Sequence, residues 1–264
     1  TINTAKCYGL KHLGAISPGF QADFVVLDNL QDLNVTDVFY KGKLVDRNAP
    51  IRVKTCGRAL KHTVHLDKVK AEQFVLPIGK KKTHVIGINP SQITTEDLAV
   101  SLQPAANYVP TDGYSKVAAV ERHHNTGKIG VAVAKGYGIR NGAVASSVSH
   151  DSHNIIVIGD NDRDMALAVD EIIRTQGGYT VVENGEVFET LPLPIMGLMS
   201  DAGFESVNET LGRMIKKAHE MGVPADIEPF ITLSFLALPV IPTLRITPRG
   251  LCLLTAKGPE ILQE

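Results

Sequence analysis

The sequence predicts a mixed α/β (α+β) fold in two unequal lobes, and three features predict it. From residue 117 to residue 158, short β-branched runs alternate with glycine or polar clusters, as the strands of a sheet do. Asp160-Asn161-Asp162 offers capping oxygens to a helix over about 163–175, whose Met165, Leu167, Ala168 and Ile172 give a broad apolar face. Asn184-Gly185 between two β-rich runs is the strongest hairpin signal in the chain.

Taken in order, Thr1 opens without an initiating Met into a short helix-like run ending at Gly9, so the chain reads as a piece of a longer protein. Ser17-Pro18-Gly19 makes a turn, and the strand Asp23–Leu27 follows. Val35–Tyr40 and Lys43–Val45 form a hairpin about Lys41-Gly42, where glycine supplies the positive φ of a tight turn. Polar residues 46–50 close this first lobe (1–50), and residues 51–73 read as a linker.

The second lobe, 74–264, begins with a strand over Thr83–Ile88, then a loop or short helix over Ser91–Leu98. Strands are expected over 117–122, 128–135, 142–148 and 155–158. The helix 163–175 ends at Gly177-Gly178, the hairpin occupies 179–191, and a second helix runs over about 205–220 until Gly222 and Pro224 stop it. Residues Phe230 to Val240 are too apolar for a surface loop and should be core.

Composition narrows the function classes. The chain has 264 residues, 44% of them hydrophobic, and a formal charge of -1 without long runs of either sign. Neither a nucleic-acid face nor a membrane anchor is expected. The triplet Lys80-Lys81-Lys82 reads as a solvated loop rather than a phosphate site. Three scattered cysteines, Cys7, Cys56 and Cys252, argue against a disulfide framework and for the reducing cytoplasm. No apolar run reaches the roughly 20 residues that span a bilayer.

The most chemically loaded segment is Ser149-His150-Asp151-Ser152-His153-Asn154, set between two runs that should both be buried. In an extended backbone His150, Ser152 and Asn154 face one way while Asp151 and His153 face the other. In a helical turn His150 and His153 share a face. One reading makes the segment a connection whose side chains cap backbone groups. Another makes it a substrate-facing loop that bonds the substrate or shuttles protons, and a metal site within it is a third. Glu121-Arg122-His123-His124 is either a solvated strand end or a second substrate-side element. Met196 and Met199 are either core filler or the lining of a ligand pocket.

Two blocks carry a family resemblance. Pro18-Gly19-Phe20-Gln21-Ala22-Asp23 and the apolar strand behind it resemble the exit from the barrel into a small β-sandwich in the amidohydrolase superfamily. The run Gly142 to Gly159, with Glu121-Arg122-His123, Asp164 to Val169, Leu191 to Ser200 and Phe230 to Pro242 in order, resembles the C-terminal region of the adenine deaminases.

The resemblance implies part of an amidohydrolase β-sandwich plus a C-terminal sheet-and-helix domain, with the metal-binding barrel absent. It implies hydrolysis of adenine to hypoxanthine and ammonia by a hydroxide on a divalent metal, manganese or iron. No His-x-His pair and no Pro-Cys-x-x-Cys stands in the sequence, so the metal ligands are expected in the missing N-terminal barrel and none in this chain. The site residues expected here are Asp151 and His153 as catalytic groups, with Arg122, His123, His150, Ser152 and Asn154 binding substrate. The expected partners are adenine, the missing barrel and further copies in a homo-oligomer. The chain alone is expected to be silent. The rival readings are a scaffold or oligomerisation module, and part of another cyclic amidohydrolase.

Overall fold

A computed structural model describes residues 1–49, 57–111 and 113–262, and divides the chain into two units, Thr1–Thr55 and Cys56–Glu264. In the first, helix α1 (Ile2–Cys7) precedes β1 (Phe24–Leu27), β2 (Val35–Tyr40) and β3 (Lys43–Leu44), which form an antiparallel sheet in the order β1-β2-β3. Lys41 and Gly42 both take positive φ in the β2–β3 turn, the geometry expected of it.

The second unit is built on one eight-stranded sheet. Its strands are β4 (Thr83–Ile88), β5 (Thr95–Val100), β6 (Tyr114–Val120), β7 (Ile129–Lys135), β8 (Gly142–Ser146), β9 (Ile155–Gly159), β10 (Gly178–Glu183) and β11 (Glu186–Pro192). They lie in the order β11-β10-β8-β9-β6-β7-β4-β5, antiparallel throughout except for the β4/β7 pair.

Both faces are covered, which explains why the central strands read as nearly unbroken apolar runs. Ala118, Val120, Ala143, Ala145, Ile155 and Val157 face α2 (Asp162–Thr175), packing on its Met165, Val169 and Ile172. The alternate residues Val117, Ala119, Val144, Ile156 and Ile158 face α3 (Phe204–Glu220) and α4 (Pro229–Leu236), along with a three-stranded sheet of β12 (Leu244–Thr247), β13 (Gly250–Thr255) and β14 (Gly258–Ile261). The helix α2 is capped as expected, with Asn161 Oδ1 accepting from the Asp164 N–H at 2.9 Å.

Three expectations are corrected. Residues 95–100 are strand β5, at the sheet edge, rather than a loop or short helix: Thr95 is buried while Glu96 and Asp97 face solvent. Residues 57–73, expected as linker, carry core positions, with Val64 and Val69 buried on the α2 face of the sheet. The rest of that linker, residues 51–56 including Cys56, falls outside the described residues, as does Pro50. Met196 and Met199 are 43% and 51% exposed, so they are not core filler. Phe230, Leu233 and Leu236 are core as expected, while Ile231 on the same helix is 56% exposed.

Candidate functional site

Strand direction gathers the site. Because β6 and β9 are antiparallel, the end of β6 lies beside the start of β9, with Val120 opposite Ile155. The β6–β7 connection, carrying Arg122 and His123, therefore meets the β8–β9 connection, carrying residues 149–154. The same edge receives the chain leaving β11, which runs on through residues 193–199.

Arg122 ties these loops together. It is 2% exposed, and its guanidinium donates to the carbonyls of His153, Thr63 (3.1 Å) and Met196 (3.0 Å) and to Thr63 Oγ1 (3.3 Å). Three segments distant in sequence thus share one planar fork. Burial pulls the Arg122 pKa down to about 10, leaving it charged at neutral pH. Gly197 is required where the loop crosses this fork: its φ is +71°, and a Cβ there would stand 2.6 Å from the Arg122 guanidinium. Ser147 Oγ fastens the same glycine by donating to its carbonyl at 2.6 Å.

The 149–154 segment is a turn in which the His153 N–H donates to the Ser149 carbonyl at 2.6 Å. The two histidines meet, as the turn reading required, with ring centroids 5.9 Å apart in an edge-on arrangement. His150 also lies 4.8 Å from the Phe235 ring, and its backbone N–H donates to the Ser234 carbonyl at 2.9 Å. Asp151 projects outward with 85% of its side chain exposed. Asn154 is buried: its Oδ1 accepts from the Arg122 backbone N–H at 3.2 Å and its Nδ2 donates to Ser152 Oγ at 3.2 Å.

Hydrogen bonds fix two imidazole tautomers. The Ser149 N–H donates to His153 Nδ1 at 3.4 Å, so a neutral His153 carries its proton on Nε2. His123 Nε2 meets the Ser152 carbonyl at 2.7 Å, an acceptor only, so that nitrogen must hold the hydrogen. Glu121 folds the adjoining loop. Its burial alone would raise its pKa, but N–H donors from Thr126, His123 and His124 and the Thr126 hydroxyl outweigh this and hold it below the ordinary carboxylate value. Ser149 Oγ is buried without a hydrogen-bond partner among the described residues.

Burial, the adjacent His150 and the Arg122 charge, in that order, push the His153 pKa below the usual histidine value. The folded chain then takes up its proton at lower pH than the unfolded chain. Stability from this residue is therefore complete above about pH 6.5 and declines as pH falls through that value toward the depressed folded pKa. Nitrogen-15 NMR of the ring is expected to show the Nε2–H tautomer at pH 7 and a midpoint below that of free histidine. A midpoint at or above the free value contradicts this environment.

The seven expected residues thus share one end of the sheet, in different positions. His150, Asp151, Ser152 and His153 occupy the turn, and His123 leans on it from the neighbouring loop. Arg122 and Asn154 lie beneath with their polar atoms engaged inside the fold. Phe235 and the Met196 carbonyl were not singled out from sequence. Phe235 carries no signal, since α4 is apolar nearly all round and the sequence does not mark which of its sides is turned from the core. Among the described residues no group of three or more His, Cys, Asp or Glu side chains is placed to hold a metal ion. The cluster His123, His150 and His153 does not fit the divalent cation that the family implies.

Comparison with known proteins supplies the family. Residues 92–257 match the adenine deaminase C-terminal domain family, and residues 1–45 match the amidohydrolase family. The chain is 51% identical over 253 residues to an adenine deaminase of Desulfitobacterium hafniense, covering 95% of this chain and 44% of that protein. It is 46% identical over 257 residues to one from Nitratidesulfovibrio vulgaris and 41% identical over 257 residues to adenine deaminase 2 of Carboxydothermus hydrogenoformans, each alignment covering 95% of this chain and 45% of the relative. A buried sheet that carries its polar loops at one end is the form this family's C-terminal domain takes here, and the chain belongs to the adenine deaminase C-terminal domain family. It spans somewhat under half the length of the relatives it matches. No helix among the described residues is long and apolar enough to cross a membrane.

Proposed function

We propose that this chain supplies the substrate-facing loop of an adenine deaminase, working with an amidohydrolase barrel to convert adenine and water to hypoxanthine and ammonia. The observation that carries the reading is the 149–154 turn: two histidines and an exposed carboxylate, held on a buried guanidinium, within the segment matched to the family. A polar turn on a rigid sheet is a common way to present binding groups.

Each residue has a role in this reading. The neutral His153 offers its Nε2–H to a ring nitrogen of the base, and His150 with Ser152 borders the same edge. Asp151, exposed and 3.9 Å from His150 Nδ1, carries a proton toward the departing amino nitrogen. His123 holds the turn through the Ser152 carbonyl. Arg122 and Asn154 act as positioning residues, since their side-chain polar atoms are engaged within the fold. Manganese or iron, the metals implied by the resemblance, belongs to the barrel. The free thiols of Cys7 and Cys252 suit a cytoplasmic location, and a homo-oligomer is part of the same proposal.

Ammonia release from adenine tests the function. The full-length natural protein supplied with manganese or iron is expected to turn over adenine, and this chain alone under the same conditions is expected not to. Absence of turnover by the full-length protein overturns the substrate, and turnover by the chain alone overturns the division of labour.

A further inference from the structure

We propose that the cavity between the β4–β5 turn, the end of α3 and the outward face of α4 is a binding site for a purine base. It is open to solvent on one side and has a volume of about 430 Å³, within the range of small-molecule pockets. The choice of a purine over other planar heterocycles rests on the adenine reading above. The cavity itself rests on its own geometry.

The helix α4 is apolar nearly all round, an arrangement that buries a helix on every side. Its Phe230, Leu233 and Leu236 enter the core, while Glu228, Ile231, Thr232 and Phe235, spaced at i, i+3, i+4 and i+7, line the cavity. Ile231 and Phe235 thus present an apolar wall suited to the faces of a flat ring. Phe235 also reaches His150, so this wall adjoins the proposed substrate-facing turn.

Polar groups around the wall are fixed in complementary states. His219 Nδ1 donates to the Val223 carbonyl at 3.0 Å, which leaves Nε2 of the neutral ring as an acceptor for a base N–H. Gln92 Oε1 accepts from Thr94 Oγ1 at 3.0 Å, and no hydrogen bond among the described residues uses its amide nitrogen, a donor for a ring nitrogen or carbonyl. Glu228 caps α4 through the Ile231 N–H, and burial pushes its pKa up toward the neutral form. Arg245 closes the cavity as a fixed wall, 1% exposed, with its guanidinium bonded to the carbonyls of Ile93, Phe235, Ile241 and Pro242. Acceptor, donor and apolar plane are those that a purine edge and face require.

Isothermal titration of adenine and of hypoxanthine into this chain tests the site, the two arms separating substrate from product. At least one base is expected to bind, and Gln92→Leu to weaken it about tenfold. Ile231→Trp, at an exposed helical position that leaves the core untouched, is expected to fill the cavity and abolish binding with the melting temperature unchanged. Glu186→Gln, exposed on β11 and part of neither the cavity nor the 149–154 turn, is expected to leave the affinity as it was. No binding by the unaltered chain, or binding indifferent to both Ile231→Trp and Gln92→Leu, overturns the site. Deamination by the full-length protein with no such binding removes the cavity proposal alone, whereas binding without deamination removes the adenine deaminase reading alone.

Discussion

Arg122→Met is expected to cost about 3 kcal/mol of stability and lower the melting temperature by roughly 6–12 °C. The substitution keeps the apolar stem of the side chain and removes the fork. Three carbonyls, those of Thr63, His153 and Met196, lose a charged donor inside the protein, and each such loss leaves an acceptor desolvated. Lysine at this position keeps the charge but cannot reach three diverging carbonyls with one ammonium, so Arg122→Lys is expected to recover only part of the loss. The loops should loosen before the sheet does. Differential scanning calorimetry gives the stability and limited proteolysis locates the opening: cleavage within 149–154 and 193–199 is expected to accelerate in both variants. An unchanged melting temperature in Arg122→Met would show that the fork holds nothing.

The second large effect is on catalysis. In the full-length natural protein, His153→Ala is expected to lower kcat/KM for adenine about 100-fold, with the melting temperature within about 2 °C of the parent. The ring is half-buried and makes one weak bond through Nδ1, so its removal leaves little unsatisfied. His153→Gln returns an N–H donor near the same place and is expected to restore part of the rate. Asp151→Asn is expected to slow turnover with little change in stability, because the Asp151 carboxylate is 85% exposed and its one ion-pair contact among the described residues, to His150 Nδ1, is 3.9 Å long. If both variants turn over adenine at the parental rate while assembly or stability changes, the loop is scaffold and the substrate-facing reading is wrong.

What could be read in the sequence divides along physical lines. The strands over 117–120, 142–146 and 155–159 were legible because both faces are buried, so every residue in them had to be apolar or small. The Asn184-Gly185 hairpin and the Asn161 cap were legible because a few adjacent residues determine each. The edge strand β5 was not, because its solvent-facing Glu96 and Asp97 interrupt the β-rich pattern with acids that suit an exposed edge. The hairpin of β12 and β13 turns at Pro248-Arg249 ahead of Gly250, a short turn signal.

The site was legible as a list of residues and not as an arrangement. The polarity of 149–154 between two buried runs marked it out, since polar groups in such a place need a reason. Whether Arg122 touches a ligand or a carbonyl depends on partners 59 and 74 positions away, which no local pattern encodes. The outward face of α4 was hidden for another reason: a helix rich in Phe, Leu and Ile reads as core on every side, and only the packing shows which face is left open.

The most direct measurement is a crystal structure of the full-length natural protein with adenine, or an analogue that is not turned over, in its site. The account predicts His153 Nε2 within hydrogen-bond distance, about 3 Å, of a ring nitrogen of the base, with the Arg122 fork unchanged beneath it. A base bound with the 149–154 turn beyond hydrogen-bond reach would contradict it.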